Sequence, residues 1–159
     1  MELISRTTTD VDVVALLDEG GGLVAPVPLP ADLLQSAREV AEVLGLPENW
    51  LNNGPSSGDG GLYRLGLPQG LADRLGWRRF GEKLTVAFIS RFDQVHFKLY
   101  AAVDRGGYHV EDLRALDPSP DELEAAARWA MTHDVSEGFV MVLKHLLRSL
   151  GYESVADRL

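Results

Sequence analysis

The chain has 159 residues, a net charge of −9 and no cysteine. That length carries one compact domain with its own core, and the lack of thiols excludes disulfides, thiolate metal sites and cysteine nucleophiles together. The acidic balance excludes a broad electrostatic footprint for nucleic acid. No apolar run approaches a membrane span, and MELISRTTTD holds no apolar h-region, so a cytosolic protein is expected.

Residues 6–17, RTTTDVDVVALL, predict a strand, because β-branched residues dominate it. DEGGG (18–22) is a turn and PVPLP (26–30) an extended segment. Residues 31–44 predict an amphipathic helix with Leu33, Leu34, Ala37, Val40, Ala41 and Leu44 on its inner face and Gly45 as its stop. Trp50 is expected in the core, with Asn52 capping or lining a site. NNGPSSGDGG (52–61) is a flexible loop. It is a poor phosphate loop, since no Gly-Lys-Ser/Thr follows its glycines.

A second β region spans roughly 75–89, where LTVAFI (84–89) is apolar on both faces, as in a buried strand. Ser90 with Asp93 three residues on predicts a capping box. Phe92, Val95, His96, Leu99 and Val103 then line a helix that Gly106-Gly107 ends. A short helix covers 109–116. Another starts at Ser119-Pro120, with Glu122 in capping position, and runs to about His133. A last helix, about 137–150, turns Phe139, Leu143, Leu146, Leu147 and Leu150 inward. The layout is α+β: one domain over 1–159, with a mixed sheet region in 1–89 and a helical region in 90–159.

Chemistry is concentrated in the first strand. Side chains alternate along extended backbone, so Arg6, Thr8, Asp10 and Asp12 share one face, with Val11 and Val13 directed to the core. Carboxylates at i and i+2 stand roughly 7 Å apart. That is close enough to converge on hard divalent cations such as Mg2+ or Mn2+, which take oxygen ligands. A bare D-x-D is common on solvated strands. R-x-T-x-D-x-D is far rarer.

RTTTDVD (6–12) resembles the central motif of the nucleotidyltransferase fold in its AbiEii-like and MenT-like toxin branch. HFKLYAAVDRGGYHVEDLRAL (96–116) is similar to the K-L-x-A-x-x-D-R…D-x-x-D-L segment that those families carry downstream. The resemblance runs from Arg6 to about Leu150. It implies a nucleotidyltransferase-like sheet, with Asp10 and Asp12 as metal ligands and catalytic acids. Lys98 would meet the phosphates of a nucleoside triphosphate, Asp112 would shape the site, and Arg6, Thr8 and Arg105 would contact substrate. The implied reaction is Mg2+-dependent nucleotide transfer to the 3′ end of a transfer RNA, by a toxin with a cognate antitoxin as its protein partner. Lys98 also falls off the apolar stripe of its helix, beside the small Ala101 and Ala102, where a phosphate has room to approach. Arg74, Arg78 and Arg79 around Trp77 form the one basic cluster, the expected local contact for RNA.

Five residues precede Arg6, and the Gly-Gly or Gly-Ser turn that such proteins carry upstream of the acidic strand is not among them. Binding of a nucleotide or a protein without turnover is therefore the second expectation. Glu82 and Asp93 are the candidates for a third carboxylate, Asp93 being already explained by capping. His133-Asp134 invites comparison with HD-type phosphohydrolases, but His96, on an apolar face, reads as a packed core histidine.

Overall fold

A computed structural model describes residues 10–159. Arg6 and Thr8, with the first part of the expected strand, lie outside the described residues. Within them the chain is a mixed α and β protein with seven α-helices and three two-stranded sheets. Two compact units divide at Leu67/Pro68. The 75–89 β region falls in the same compact unit as the helices that follow it.

In the unit that includes residues 10–67, the expected long strand is broken. β1 (Val11–Asp12) is followed by β2 (Leu16–Leu17), which pairs antiparallel with β3 (Leu23–Val24). The Asp18 carboxylate draws this hairpin closed, accepting from the Gly20 and Gly22 N–H groups at 2.9 and 2.7 Å. Leu16–Leu17 thereby leave the line of β1. Val11, expected to face the core, is exposed.

Helix α1 (Ala31–Leu44) follows, and Gly45 caps it in the left-handed conformation at φ 65°. Its buried positions are Ala37 and Ala41, while Val40 and Leu44, expected inside, are exposed. The half-buried Trp50 accounts for the centring: its indole N–H donates to the Ala37 carbonyl at 2.9 Å, across the alanine face.

β4 (Leu51–Asn52) pairs parallel with β1, in the register Val11↔Leu51 and Asp12↔Asn52. The segment after it is built rather than loose. Gly54–Ser56 form a 3-10 turn, the buried Ser56 hydroxyl donates to Val14 O at 2.7 Å, and α2 (Leu62–Leu65) closes the segment. Gly61 passes so near this turn that a Cβ there would stand 2.4 Å from Ser56 O. That glycine serves backbone packing.

In the unit containing residues 68–159 a 3-10 turn (Leu71–Arg74) leads into the hairpin β5 (Gly76–Phe80) and β6 (Leu84–Phe88), registered from Gly76↔Phe88 to Phe80↔Leu84. LTVAFI was expected to be a buried strand. Leu84 and Phe88 are exposed instead, because among the described residues β5 and β6 pair only with each other.

The helices follow the sequence pattern closely: α3 (Arg91–Arg105), α4 (Tyr108–Ala115), α5 (Pro120–His133) and α6 (Glu137–Ser149). Ser90 caps α3 by accepting from Asp93 N–H, and Ser119 with Glu122 forms a reciprocal capping box on α5. Helix α7 (Glu153–Arg158), beyond the expected last helix, adds Val155 and Ala156 to the core. Val95 and Leu99 from α3, Leu113 from α4, Leu123 from α5 and Leu143 and Leu147 from α6 meet there with no exposed surface.

Candidate functional site

Asp10 and Asp12 stand at β1, and both are exposed. The strand is short but held: Val11 N–H donates to Trp50 O, and Val13 N–H donates to Asn52 O at 2.7 Å. These bonds keep the backbone extended across Asp12. Extended backbone places residues two apart on the same side, the arrangement expected of Asp10 and Asp12. The parallel register sets Asn52 beside Asp12. The Asn52 side-chain oxygen accepts from Gly54 N–H at 2.8 Å, so this amide shapes the turn next to the acids. Asn53 reaches further, donating to Pro26 O at 2.7 Å.

The donor set suits a hard divalent ion held through one or two carboxylates, with water and phosphate oxygens completing the shell. Among the described residues no group of three or more His, Asp or Glu side chains is gathered. Of the two candidates for a third acid, Glu82 sits at the tip of the β5–β6 hairpin, and Asp93 is bonded to Arg74.

Lys98 and Asp112 do meet, each other. Lys98 Nζ donates to Asp112 Oδ2 at 2.6 Å, tying α3 to α4 across the Gly106-Gly107 turn. Asp112 is buried, and about a quarter of the lysine side chain reaches solvent. Ala101 and Ala102, expected to leave room for a phosphate, are buried in helix packing. Arg105 is exposed at the end of α3, 3.3 Å from the neighbouring carboxylate of Asp104.

The basic cluster loses one member. Arg74 turns from solvent to Asp93, a fully buried carboxylate, donating through Nη2 at 2.6 Å and Nε at 3.1 Å. It also donates to Gln69 O and lies over the Phe92 ring. The hydrogen bonds to Asp93, outweighing the cost of burial, raise the arginine's pKa further above its ordinary value. This pair is structural, and its partners are 19 residues apart in sequence with no periodicity to announce them. Arg78 and Arg79 remain on the exposed strand β5, beside exposed Trp77 and Phe80. Arg79 leans on the hairpin tip, donating to Gly81 O at 2.9 Å.

His96 is a packed residue, as its place on the apolar face implied. Its ring stands 4.5 Å from that of Phe92 and 5.7 Å from that of Trp129. Burial pushes its pKa below the ordinary imidazole value, against the opposing pull of the Phe92 carbonyl and Asp93. His133 packs on Trp129 and Tyr100, an aromatic setting in place of the ligand set that an HD-type hydrolase needs.

No helix of the described residues is long and apolar enough to cross a membrane. Compared with known protein families, curated proteins and solved structures, the chain matches none.

Proposed function

We propose that the protein is a Mg2+-dependent nucleotidyltransferase-like protein, with Asp10 and Asp12 as its metal-holding acids. The observation that carries this is the pair of exposed carboxylates two residues apart on backbone fixed by a parallel ladder. Bound there, Mg2+ or Mn2+ would neutralise phosphate charge and orient the nucleoside triphosphate. Lys98 is the cation that the motif resemblance assigns to phosphate. Its Nζ donates one N–H to the Asp112 carboxylate, which holds the ammonium in place and leaves two further N–H donors for phosphate oxygens. Arg105 and the exposed Arg78 and Arg79 are the remaining cations for substrate, with a transfer RNA end as the acceptor that the motif resemblance suggests. On the same resemblance the biological role is that of a toxin held by a cognate antitoxin.

Nucleotide binding without turnover is the second reading. That no group of three acids is gathered among the described residues favours it, since a second metal ion is then less easily held.

Calorimetric titration with Mg2+ and Mn2+ tests the metal role. Asp10→Asn/Asp12→Asn is expected to abolish the binding heat while leaving the circular dichroism unchanged; equal heats from both proteins would remove these acids from the site. Lys98→Ala is expected to weaken nucleotide binding about tenfold or more, on the scale of a lost charge-assisted contact. Labelled triphosphates incubated with transfer RNA and Mg2+ separate the two readings: labelled RNA marks the enzyme, and bound but untransferred nucleotide marks the binding module.

A further inference from the structure

Helix α6 buries Leu143 and Leu147 and turns a second stripe outward. Glu137, Val140, Met141, Lys144 and Arg148 recur at intervals of three and four, so they lie along one line of the helix. With Val135, just before the helix, they border a shallow groove. Val135 is 85% and Met141 69% exposed. Apolar side chains this exposed on a rigid helix mark a contact surface when they are contiguous and rimmed by charge.

The charges say what covers it. Glu137 and Lys144 are two helical turns apart, about 10 Å along the axis, too far to pair within one helix. Among the described residues neither is engaged in an ion pair. An antiparallel copy of the same helix, related by a two-fold axis passing between Val140 and Met141, sets each Glu137 opposite the other copy's Lys144. The same operation sets Val140 against Met141 twice. Arg148, already bonded to Asp157 at 2.8 Å, then approaches the start of the other copy's α6. Asp134 stands there, its carboxyl held below its usual pKa by the Ser136 N–H. Self-complementarity under a two-fold is what an isologous interface requires.

We propose that the outer face of α6 is a homodimer contact, pairing two copies of this chain antiparallel through Met141 and the reciprocal Glu137–Lys144 bridges. A helix of this length is about 20 Å long, so the two stripes bury less than the roughly 1,200 Å² at which stable interfaces begin. The dimer is accordingly weak, with a dissociation constant in the micromolar range or above, and it loosens as salt screens the bridges.

Sedimentation equilibrium of the full chain, over about 1 µM to 1 mM at low and high salt, tests it. The wild type is expected to dimerise reversibly. Glu137→Lys alone and Lys144→Glu alone should each raise the dissociation constant at least tenfold, because each places like charges together twice. Mixing those two variants should restore dimers, since each supplies the charge that the other's reversed position needs. Glu137→Lys/Lys144→Glu in one chain should restore them too. Val135→Asp and Met141→Asp should abolish association with unchanged circular dichroism. A wild type monomeric throughout would overturn the proposal, as would a mixture no better associated than its two components, or dimers that survive Met141→Asp.

Discussion

The two compact units are held in different ways. In the unit with residues 68–159, seven leucine and valine side chains from five helices, among them Leu99, Leu123 and Leu143, have no exposed surface at all. In the unit with residues 10–67, the buried aliphatic positions are few and small, chiefly Leu29, Ala37, Ala41 and Leu62. Its long-range ties are polar. Trp50 donates to Ala37 O, Asn53 to Pro26 O, Ser56 to Val14 O and Tyr63 to Leu23 O, spanning 13 to 42 residues of sequence. One unit rests on area removed from water, which needs only the right period of apolar residues. The other rests on single donors reaching single carbonyls, each worth about 1 kcal/mol net. The candidate metal acids stand in the second kind of frame, where short strands leave polar side chains in water.

That contrast can be broken by substitution. Leu143→Ala should have the largest effect, about 2–5 kcal/mol of destabilisation, because it removes a fully buried side chain from a core of rigid helices. Urea denaturation followed by helical circular dichroism measures it, and a loss below 1 kcal/mol would mean that this core is loosely packed. Arg74→Ala comes next. It leaves Asp93 buried without its cation, at a cost of about 2–3 kcal/mol, below the value for a wholly buried pair because about a third of the arginine side chain still meets water. Arg74→Ala/Asp93→Asn should recover part of the loss, and no recovery would show that the arginine works through Phe92 packing instead. Ser56→Ala should cost least, about 1 kcal/mol, and its effect should be confined to residues 10–67 when amide exchange is read by segment. If it cost as much as Leu143→Ala, the distinction between the two frames would collapse.

The same contrast explains how far the sequence could be read. Helices α3 to α6 were legible to within about two residues, since Leu and Val at three- and four-residue spacing, with serine caps before them, state both the buried face and the start. Helix α7 was hidden behind Gly151, where the period stops and six residues are too few to declare another. The exposure of the acids at 10 and 12 was legible. Their strand was not, because the turn bonds of Asp18 that redirect Leu16–Leu17 cannot be told from ordinary turn composition. LTVAFI misled for a related reason: period alone cannot distinguish a strand buried between layers from one in an exposed ribbon. The meeting of Lys98 with Asp112 was not visible either. It depends on the angle at which α4 leaves the Gly106-Gly107 turn, which two glycines at positive φ do not specify.

Arg91 and Glu122 fix the length of the corner between α4 and α5. The Arg91 guanidinium, at the first residue of α3, bonds the Glu122 carboxylate and the carbonyls of Leu116 and Asp117. Burial works to raise the Glu122 carboxyl, and the Ser119 N–H and Arg91 outweigh it, leaving the group ionised below its ordinary value. Asp117 meanwhile holds φ at 45°, a conformation that few side chains adopt. Three helix ends are thus measured against one planar cation. An added residue between 117 and 119 would change the spacing between those carbonyls and the capping box, so that one cation could no longer bond both in the present geometry. The hairpin tip at 81–83 carries no comparable gauge. Tags, insertions and new chain ends therefore belong at the tip, and the corner should keep its length wherever this helical unit is reused.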